Sequence, residues 1–360
     1  MTERHVLAER VGALGVLTLN RANALNALSL QMIRDLTAAL LQWRDDSAVK
    51  AVLLRGAGRE GKAPAFCAGG DIRFFHQAAL AGDPRLEDFF SEEYALNHLI
   101  HAYPKPTIAL MDGIVMGGGM GITQGASLRV LTEHSKLAMP ETNIGLFPDV
   151  GGGWFLSRCP GHSGEYLALT GHAIGAADAI ALGLGDVMLP SAQLPALVEA
   201  LLDQPMESGE QALATVRARV TAAPAATLDR AAIDRHFAAL TLQAIVDSLA
   251  SDGSAFAQAT LTALRQRSPL MSAVTLEQVR RARTMTLADD LRMERDLVRH
   301  CFHLRPGQDS ETVEGIRALA IDKDHSPRWN PSRIEDVTPA MVEAFFVSPW
   351  PAHAHPLRDL

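Results

Sequence analysis

The amino-acid sequence predicts an α/β fold in the first part of the chain and a mainly helical second part. Short apolar runs that fit buried strands alternate with helical patterns as far as about residue 190. Beyond that point, Ala-, Leu- and Arg-rich helical patterns follow one another with few strand signals. We therefore expect a core over residues 1–190 that holds the functional site, a helical extension over 191–346 and an irregular tail over 347–360.

The strand signals are short and apolar. Residues 16–19 form one such run, and residues 5–10 are its expected hairpin partner. Residues 51–54, 108–111 and 128–131 are compact apolar runs of the kind that strands buried on both faces require. Because helical patterns and glycine-rich segments separate these runs, an α/β architecture is the expected arrangement.

The helical signals come from apolar residues that recur every three or four positions. The first helix is expected to begin after Ser29, whose side chain can cap it, and to bury Ile33, Leu36 and Leu40 on one face. The second part of the chain predicts a series of helices over residues 194–202, 210–222, 228–249, 255–267, 275–283, 287–302 and 338–346.

Composition and charge argue against several classes of function. The 360 residues are 48% hydrophobic and 21% charged, with a formal net charge of -8 and no strongly basic stretch, so we expect neither a nucleic-acid nor a membrane partner. The three cysteines lie far apart and the histidines lack metal-ligand spacing, so we expect no disulfide framework and no metal site. Neither a signal segment nor a membrane span is recognisable, which predicts a soluble, cytoplasmic protein.

Two glycine-rich segments are candidates for contact with a ligand. In the first, Gly69 and Gly70 precede Asp71, which can open a helix, and in the second three glycines follow Met116. Glycines at the start of a helix leave backbone N–H groups free to donate. Two such turns, each offering one N–H, can form an oxyanion hole for a polarised carbonyl oxygen. Taken singly, each turn is equally compatible with a tight strand–helix connection or with close packing of a helix on a sheet.

A third segment, over residues 139–153, contains the two carboxylic acids Glu141 and Asp149. Both acids are flanked by apolar residues, and burial raises the pKa of a carboxyl group into a range that suits acid–base chemistry. Two structural interpretations stay open at this point. Asp149 can cap a helix over residues 150–159, and Glu141 can be an ordinary surface charge.

Taken together, these segments resemble the crotonase (enoyl-CoA hydratase/isomerase) superfamily. LNRANALNAL at residues 19–28 is similar to the signature near the start of that superfamily, with Ala22 where proline is usual. Further segments resemble the branch that hydrolyses 3-hydroxyacyl-CoA thioesters, namely FCAGGDIR at 66–73, EEYALN at 92–97, MGGGMG at 116–121, MPETNIGLFPDVGGG at 139–153, EGIRA at 314–318 and IDKD at 321–324. The resemblance covers about residues 13–346.

The resemblance implies a core built as a spiral of ββα turns, and it assigns roles to residues of this sequence. The backbone amides of Gly70 and Gly118 are expected to hold a thioester oxygen, with Glu141 as the base or nucleophile and Asp149 as the second acid. The other expected substrate contacts are Glu93, Ala24, Ala68, Asp71, Ile72, Arg73 and Arg21. CoA is part of the substrate in this family, so no separate cofactor is implied, and a homo-oligomer is the assembly that the resemblance suggests.

One position separates two activities within the superfamily. Its hydratases add water with two glutamates, and the first of these stands three residues after the central glycine of the turn, where this sequence has Gly121. Because glycine has no side chain to carry a proton, the resemblance implies hydrolysis of a short-chain 3-hydroxyacyl-CoA thioester. The expected substrate is 3-hydroxyisobutyryl-CoA, from valine breakdown. The alternatives are an enoyl-CoA hydratase or isomerase of the same fold and a non-catalytic acyl-CoA-binding protein.

Overall fold

Two compact units, each assembled from separate segments, make up the structure, a computed structural model that describes residues 4–59 and 61–360. The first unit comprises the chain up to Gly70, Ala95–Leu137 and Ile174–Thr227, and the second comprises Asp71–Tyr94, Ala138–Ala173 and Leu228–Leu360. These units differ from the division predicted at residue 190. Residues 191–227 belong with the sheet, and two segments from before residue 190 belong with the later helices.

Two sheets contain the strands of the described residues. The larger has the strand order β1-β2-β3-β5-β7-β9 and the smaller has the order β4-β6-β8. Only β1 and β2 pair antiparallel within the larger sheet, and each later pair in it is parallel. The strands are β1 (Val6–Val11), β2 (Leu14–Leu19), β3 (Ala51–Gly56), β4 (Ala65–Cys67), β5 (Thr107–Met111), β6 (Ile114–Met116), β7 (Leu128–Leu131), β8 (Lys136–Ala138) and β9 (Val187–Met188). The predicted strands and the predicted hairpin are therefore confirmed.

The strands form repeats in which two strands precede a helical turn. In each repeat the first strand joins the larger sheet and the second joins the smaller one, as in the pairs β3–β4, β5–β6 and β7–β8. Helices at Ile72–Ala81 and Gly118–Gln124 and a 3-10 turn at Glu141–Ile144 follow the second strands. This ββα pattern is the one that the resemblance implied. The three candidate segments each follow the second strand of a repeat, although sequence patterns did not reveal those three-residue strands.

The helices of the described residues are mostly where the apolar periodicity predicts them. They are α1 (Leu30–Arg44), α2 (Ile72–Ala81), α3 (Arg85–His101), α4 (Gly118–Gln124), α5 (Gly152–Ser157), α6 (Ser163–Thr170), α7 (Ala176–Ala181), α8 (Leu194–Asp203), α9 (Gly209–Arg217), α10 (Arg230–Phe237), α11 (Leu242–Ser251), α12 (Ala255–Gln266), α13 (Pro269–Ala282), α14 (Leu287–His303), α15 (Glu311–Ile316) and α16 (Pro339–Glu343). None of them is both long and apolar enough to cross a membrane.

Three of the predicted helices have different bounds, and capping explains two of the differences. The helix predicted over 210–222 ends at Arg217, and the Thr221 amide donates instead to the Met188 carbonyl. The single helix predicted over 228–249 is two helices, because Thr241 starts α11 by accepting a hydrogen bond from the Ala244 amide. The helix predicted to begin at residue 275 begins at Pro269, because Ser268 caps it and proline is favourable at the first helical position. The spacing of apolar residues does not show where these helices begin, because the polar residues Thr241 and Ser268 determine the starts.

The core of the first unit lies on both faces of the larger sheet. Alternate strand residues such as Val52 and Leu54 line a small apolar cavity with Leu36 and Leu40 of α1. The opposite faces of the same strands pack against α8 and α9, whose buried residues join one hydrophobic cluster with the sheet. Helices α8 and α9 therefore complete the sheet and are not part of a separate extension, which is why the predicted boundary at residue 190 differs from the compact units.

The second unit is helical, and aromatic rings join three of its helices. Phe75 of α2 lies 4.7 Å from the ring centroid of Phe89 and 4.9 Å from that of Phe90, both on α3. The ring of Phe90 in turn lies 5.7 Å from Phe302 of α14 and 6.1 Å from Tyr94. Ring pairs at these separations add to the stability that burial provides. They fix the part of α3 that carries Glu93 and Tyr94.

Replacing Leu197 by alanine tests whether α8 belongs to the sheet core. Leu197 is fully buried in the cluster of the first unit, so L197A is expected to lower the free energy of unfolding by about 2–5 kcal/mol. The matched control is L240A, at a leucine that is 85% exposed, with an expected change within about 0.5 kcal/mol. Denaturant unfolding measures both, and equal effects of the two substitutions would contradict the packing described.

Candidate active site

The two glycine turns lie side by side in the first unit. Strands β4 and β6 pair in parallel, with Ala65 opposite Ile114 and Cys67 opposite Val115, so both chains leave the small sheet at the same edge. A Cβ atom placed on Gly69 would lie 3.7 Å from the amide nitrogen of Gly118. The two turns are therefore adjacent, as an oxyanion hole formed by both would require, and the oxyanion hole itself stays a prediction.

Both turns require glycine for reasons of space and backbone conformation. A Cβ atom on Gly119 would come within 2.4 Å of the Cys67 carbonyl oxygen, a distance that no side chain can occupy. Gly69 and Gly117 have φ values of 105° and 49°, which disfavour residues with a side chain. Gly118 is the first residue of α4, and an amide at that position has no acceptor within its own helix.

The segment over residues 20–28 closes one side of the first glycine turn. The Leu28 amide donates to the Gly69 carbonyl at 2.8 Å, and the Ala68 amide donates to the Leu25 carbonyl at 3.0 Å. These bonds bring Ala68 and the neighbourhood of Ala24 together, and the expected contact of both residues with a ligand stays a prediction. The Arg21 guanidinium donates to the Ala27 carbonyl at 3.1 Å, so part of this side chain holds its own loop.

The residues that follow the first turn begin helix α2. The Asp71 side chain accepts a hydrogen bond from the Phe74 amide at 3.3 Å, so it caps the helix as the sequence predicts. Ile72 is half-buried, whereas Arg73 is exposed on the first turn of α2. An exposed guanidinium at this position can reach an anion in solution, but its predicted contact with CoA stays a prediction.

Three carboxylic acids meet in the interior of the second unit. Glu93 lies on α3, Glu141 opens the 3-10 turn after β8, and Asp149 lies in the loop before α5. Their exposed fractions are only 2%, 7% and 5%. The interpretation of Glu141 as a surface charge was therefore wrong. Unpaired carboxyl groups are seldom buried to this extent, and such clusters are typical of functional sites.

Burial and mutual repulsion both favour the protonated forms of these acids. Burial is the main cause that raises the pKa of Glu93 and of Glu141, and the nearby Asp149 carboxylate raises both further. Burial also raises the pKa of Asp149, to about 7. The hydrogen bond from Tyr94 has the opposite, smaller effect and lowers this pKa. The cluster therefore holds protons at neutral pH and can exchange them with a substrate.

Two oxygen atoms of the cluster are left without a hydrogen bond inside the protein. Glu93 Oε1 and Glu141 Oε2 are buried and have no hydrogen-bonding partner within residues 4–59 and 61–360. Buried polar atoms of this kind are rare in folded proteins, because each costs free energy that water would otherwise supply. Both atoms are therefore suited to accept from, or donate to, a bound molecule.

Asp149 does not cap a helix. Helix α5 begins after Gly151, and the Asp149 carboxyl instead accepts a hydrogen bond from the Tyr94 hydroxyl at 2.9 Å. The backbone amides at the start of α5 donate to Glu294 and Asp290 of α14. Because other side chains fill the capping role, Asp149 is available for chemistry, and the capping interpretation was wrong.

Sequence reasoning missed Tyr94, Asp290, Glu294 and Gln278. Tyr94 stands within the EEYALN segment next to the predicted Glu93, but a tyrosine in a helix has no special signal of its own. Asp290 and Glu294 did carry a signal, since they share one face of α14 with buried Leu287 and Leu291. Charged residues at the apolar positions of a helix indicate buried polar contacts.

Comparison with known proteins assigns the chain to a family. Residues 14–346 match the sequence profile of the enoyl-CoA hydratase/isomerase family. The chain therefore belongs to this family, as the resemblance of its motifs indicated. Because the match reaches residue 346, the family's sequence pattern includes the helices of the second part of the chain.

Relatives and solved structures are similar over nearly the whole chain. The chain is 42% identical to 3-hydroxyisobutyryl-CoA hydrolase, mitochondrial, of Rattus norvegicus, with 95% of this chain and 89% of that protein covered. It is 40% identical to the Homo sapiens protein of the same name, with 95% and 88% covered. The crystal structure of a carnitinyl-CoA dehydratase from Mycobacterium thermoresistibile has a TM-score of 0.89 at 36% identity, covering 99% of each chain. That of an enoyl-CoA hydratase from Rhodobacter sphaeroides 2.4.1 has a TM-score of 0.84 at 37% identity, covering 96% of this chain and 98% of the other. The crotonase-like fold predicted from the sequence is thus confirmed.

Because the pKa of Asp149 is raised, we expect this residue to lower the stability of the folded protein by an amount that depends on pH. An acid whose pKa rises from 3.8 to about 7 on folding binds its proton more tightly in the folded state, so stability falls as the pH rises between these values. Asp149→Asn removes this ionisation. The melting temperature of D149N should exceed that of the unsubstituted protein by about 3 °C or more at pH 8, and by less at pH 5.

The control for this measurement is D45N, at an aspartate whose side chain is 77% exposed. It should show no such pH-dependent gain. A difference in melting temperature between D149N and the unsubstituted protein that is the same at pH 5 and pH 8 would contradict a raised pKa at Asp149.

Proposed function

We propose that the protein hydrolyses the thioester of a short-chain 3-hydroxyacyl-CoA, with 3-hydroxyisobutyryl-CoA as its substrate. The observation that carries the proposal is the buried cluster of Glu93, Glu141 and Asp149, together with a glycine at position 121. The names of the relatives at 40% and 42% identity support the choice of substrate. The reaction needs water and the acyl-CoA, and the proposal includes no further cofactor.

Gly121 distinguishes hydrolysis from hydration. Addition of water across a double bond requires one group to activate water and another to deliver a proton to carbon. In the hydratases of this family the first glutamate stands where this chain has Gly121, which is buried within α4 and has no side chain. The helix that follows the second glycine turn therefore supplies a backbone amide at Gly118 but no acid at this position.

The proposed hydrolysis proceeds by attack of water on the thioester carbonyl carbon. Glu141 accepts a proton from that water, and the amides of Gly70 and Gly118 donate to the oxyanion that forms. The carbon–sulfur bond then breaks, and the thiolate of CoA takes up a proton to leave as the thiol. In the alternative route, the Glu141 carboxylate attacks the carbon itself and water hydrolyses the resulting anhydride. Both routes yield the 3-hydroxy acid and CoA.

The electrostatics of the cluster support a division of roles among its acids. Three buried carboxyl groups close together cannot all be ionised, so Glu141 can act as a base only while its neighbours hold protons. Asp149, whose pKa is raised to about 7, suits protonation of the leaving sulfur or a hydrogen bond to the 3-hydroxyl group. Glu93, with a buried oxygen that has no partner in the described residues, suits contact with the same hydroxyl.

A second candidate function is hydration or isomerisation of an enoyl-CoA. The cluster contains three acids rather than two, so Glu93 or Asp149 can take the place of the glutamate that is absent at Gly121. The solved structures at 36% and 37% identity are of a dehydratase and a hydratase, which favours this candidate. The two functions differ in their products, since only hydrolysis releases a thiol.

Compartment and assembly remain predictions. The relatives at 40% and 42% identity are named mitochondrial, so the cytoplasmic location predicted from the sequence has no support from them. The predicted homo-oligomer is part of this proposal and rests on the family resemblance alone.

An assay of the purified protein tests the proposal directly. Incubation with 3-hydroxyisobutyryl-CoA should release free thiol, which a colorimetric thiol reagent measures, whereas crotonyl-CoA should not be hydrated. Glu141→Gln should lower kcat for thiol release by about 10²–10⁴, because it removes the group that accepts the proton or attacks the carbon.

The matched control is E199Q, at an exposed glutamate of α8 in the first unit, which should leave kcat unchanged. Melting curves of both variants show whether each is folded. Hydration of crotonyl-CoA without any thiol release from 3-hydroxyisobutyryl-CoA would replace the proposed function by the second candidate.

A further inference from the structure

A second pair of acids lies behind the loop that carries Asp149, and the proposed reaction does not use it. Asp290 and Glu294 are one helical turn apart on α14, and both side chains are fully buried. They are close enough for their carboxyl groups to share a hydrogen bond. A carboxylate has no hydrogen to donate, so two carboxyl groups can form a hydrogen bond with each other only if one of them is protonated. The pair therefore carries one proton.

The Glu294 side chain holds the loop after Asp149 by accepting hydrogen bonds from backbone amides of that loop. One of its carboxyl oxygens, Oε2, accepts from the Gly151 amide at 2.7 Å, and the other, Oε1, accepts from the Gly153 amide at 2.9 Å. Asp290 Oδ2 accepts from the Trp154 amide, also at 2.9 Å. The two acids thus bind three of the four backbone amides over residues 151–154, and the bonds to an ionised Glu294 are charge-assisted and so stronger than neutral ones.

Gln278 holds the same loop on the other side of Asp149. Its Nε2 donates to the Pro148 carbonyl at 2.7 Å and to Glu294 Oε1 at 3.0 Å. Pro148 and Gly151 flank Asp149 in the sequence, so α13 and α14 fix the backbone on both sides of this residue. The contact is close, since a Cβ atom on Gly153 would lie 2.4 Å from Asp290 Oδ1.

The loop needs such support because its backbone conformation is unfavourable. Val150, directly after Asp149, has a φ of 58°, a left-handed value that is exceptional for a β-branched residue. Residues in such conformations persist only where the surrounding structure enforces them, and they concentrate at functional sites. The hydrogen bonds of Glu294 and Gln278 provide this constraint on either side of Val150 and Asp149.

We propose that Glu294, with Asp290 and Gln278, is a positioning device that aims the Asp149 carboxyl at the reacting group. The inference rests on the proposed function only in that it takes Asp149 to be one of the two working acids. Glu294 touches no reacting atom and acts through the loop. The Tyr94 hydroxyl then completes the placement by donating to Asp149 Oδ2.

The hydrogen-bond pattern assigns the shared proton to Asp290. Glu294 accepts three N–H donors, which favour its ionised form, whereas Asp290 accepts one. Asp290 Oδ1 accepts no hydrogen bond from any donor within residues 4–59 and 61–360, which leaves it free to carry the proton and donate it to Glu294. Burial raises the pKa of both acids, and the charged or titratable groups that face them are Asp149, Tyr94 and Arg158.

Two nearly isosteric variants separate positioning from simple stability. In Asp290→Asn the amide nitrogen donates to Glu294 and the amide oxygen accepts from Trp154, as protonated Asp290 does, so kcat should stay within about twofold. In Glu294→Gln one oxygen becomes a donor that faces a backbone N–H group. E294Q should therefore lower kcat by about 10-fold or more with KM nearly unchanged, because Asp149 is misplaced.

The pKa of Asp149, measured without substrate, provides a readout that does not depend on the proposed function. Titration of its carboxyl by ¹³C NMR, assigned with D149N, should give the same pKa in D290N as in the unsubstituted protein. In E294Q the pKa should fall, because a neighbouring negative charge is removed. This measurement decides the inference even if the protein releases no thiol from any 3-hydroxyacyl-CoA.

The inference is overturned if folded E294Q keeps both kcat and the pKa of Asp149, or if D290N loses as much activity as E294Q. If E294Q does not fold, Gln278→Met replaces it, since this variant removes the donor to Pro148 and Glu294 at similar volume. The same fall in kcat without a change in KM supports the inference, and an unchanged kcat in folded Q278M overturns it.

Discussion

The burial of several carboxyl groups close to one another is the constraint on which the rest of the second unit depends. Glu93, Glu141 and Asp149 lie where water cannot solvate them, and each raises the free energy of ionising the next. Such an arrangement opposes folding at neutral pH, so the surrounding helices must supply compensating contacts. The aromatic rings on α2, α3 and α14 and the hydrogen bonds of α13 and α14 to the loop over 148–154 are those contacts.

The backbone amides of the glycine turns and the side-chain acids are held in place in different ways. Backbone amides at Gly70 and Gly118 follow a pair of hydrogen-bonded strands, and next to Gly118 a Cβ atom on Gly119 would come within 2.4 Å of the Cys67 carbonyl oxygen. Side-chain acids must instead be held by other side chains, because a carboxyl group has rotational freedom that a backbone amide lacks. Two residues hold Asp149. Tyr94 donates to the Asp149 carboxyl oxygen, and Glu294 accepts from the Gly151 amide in the loop that carries Asp149.

Most of the features that could be predicted from the sequence depend on residues only a few positions apart. The glycine turns, the Asp71 cap and the two acids of the segment over 139–153 follow from residue types and spacing within a few positions, and motif resemblance assigned them to a family. The hydrogen bond between Tyr94 and Asp149 joins residues 55 positions apart, and that between Trp154 and Asp290 joins residues 136 apart. No local pattern specifies such pairs. The three-residue strands β4, β6 and β8 were missed for a similar reason, since they are too short for periodicity and are defined by their partners.

Infrared spectroscopy measures the protonation state of the buried acids directly. Protonated carboxylic acids give a carbonyl band that carboxylates lack, so a pH titration of the intact protein counts the acids that keep their protons. We expect this band to persist at pH 6, where exposed acids are ionised, and to decrease as the pH passes about 7. The band should also be weaker in D149N than in the unsubstituted protein. A band that is lost by pH 5, as for exposed carboxyl groups, would contradict this expectation.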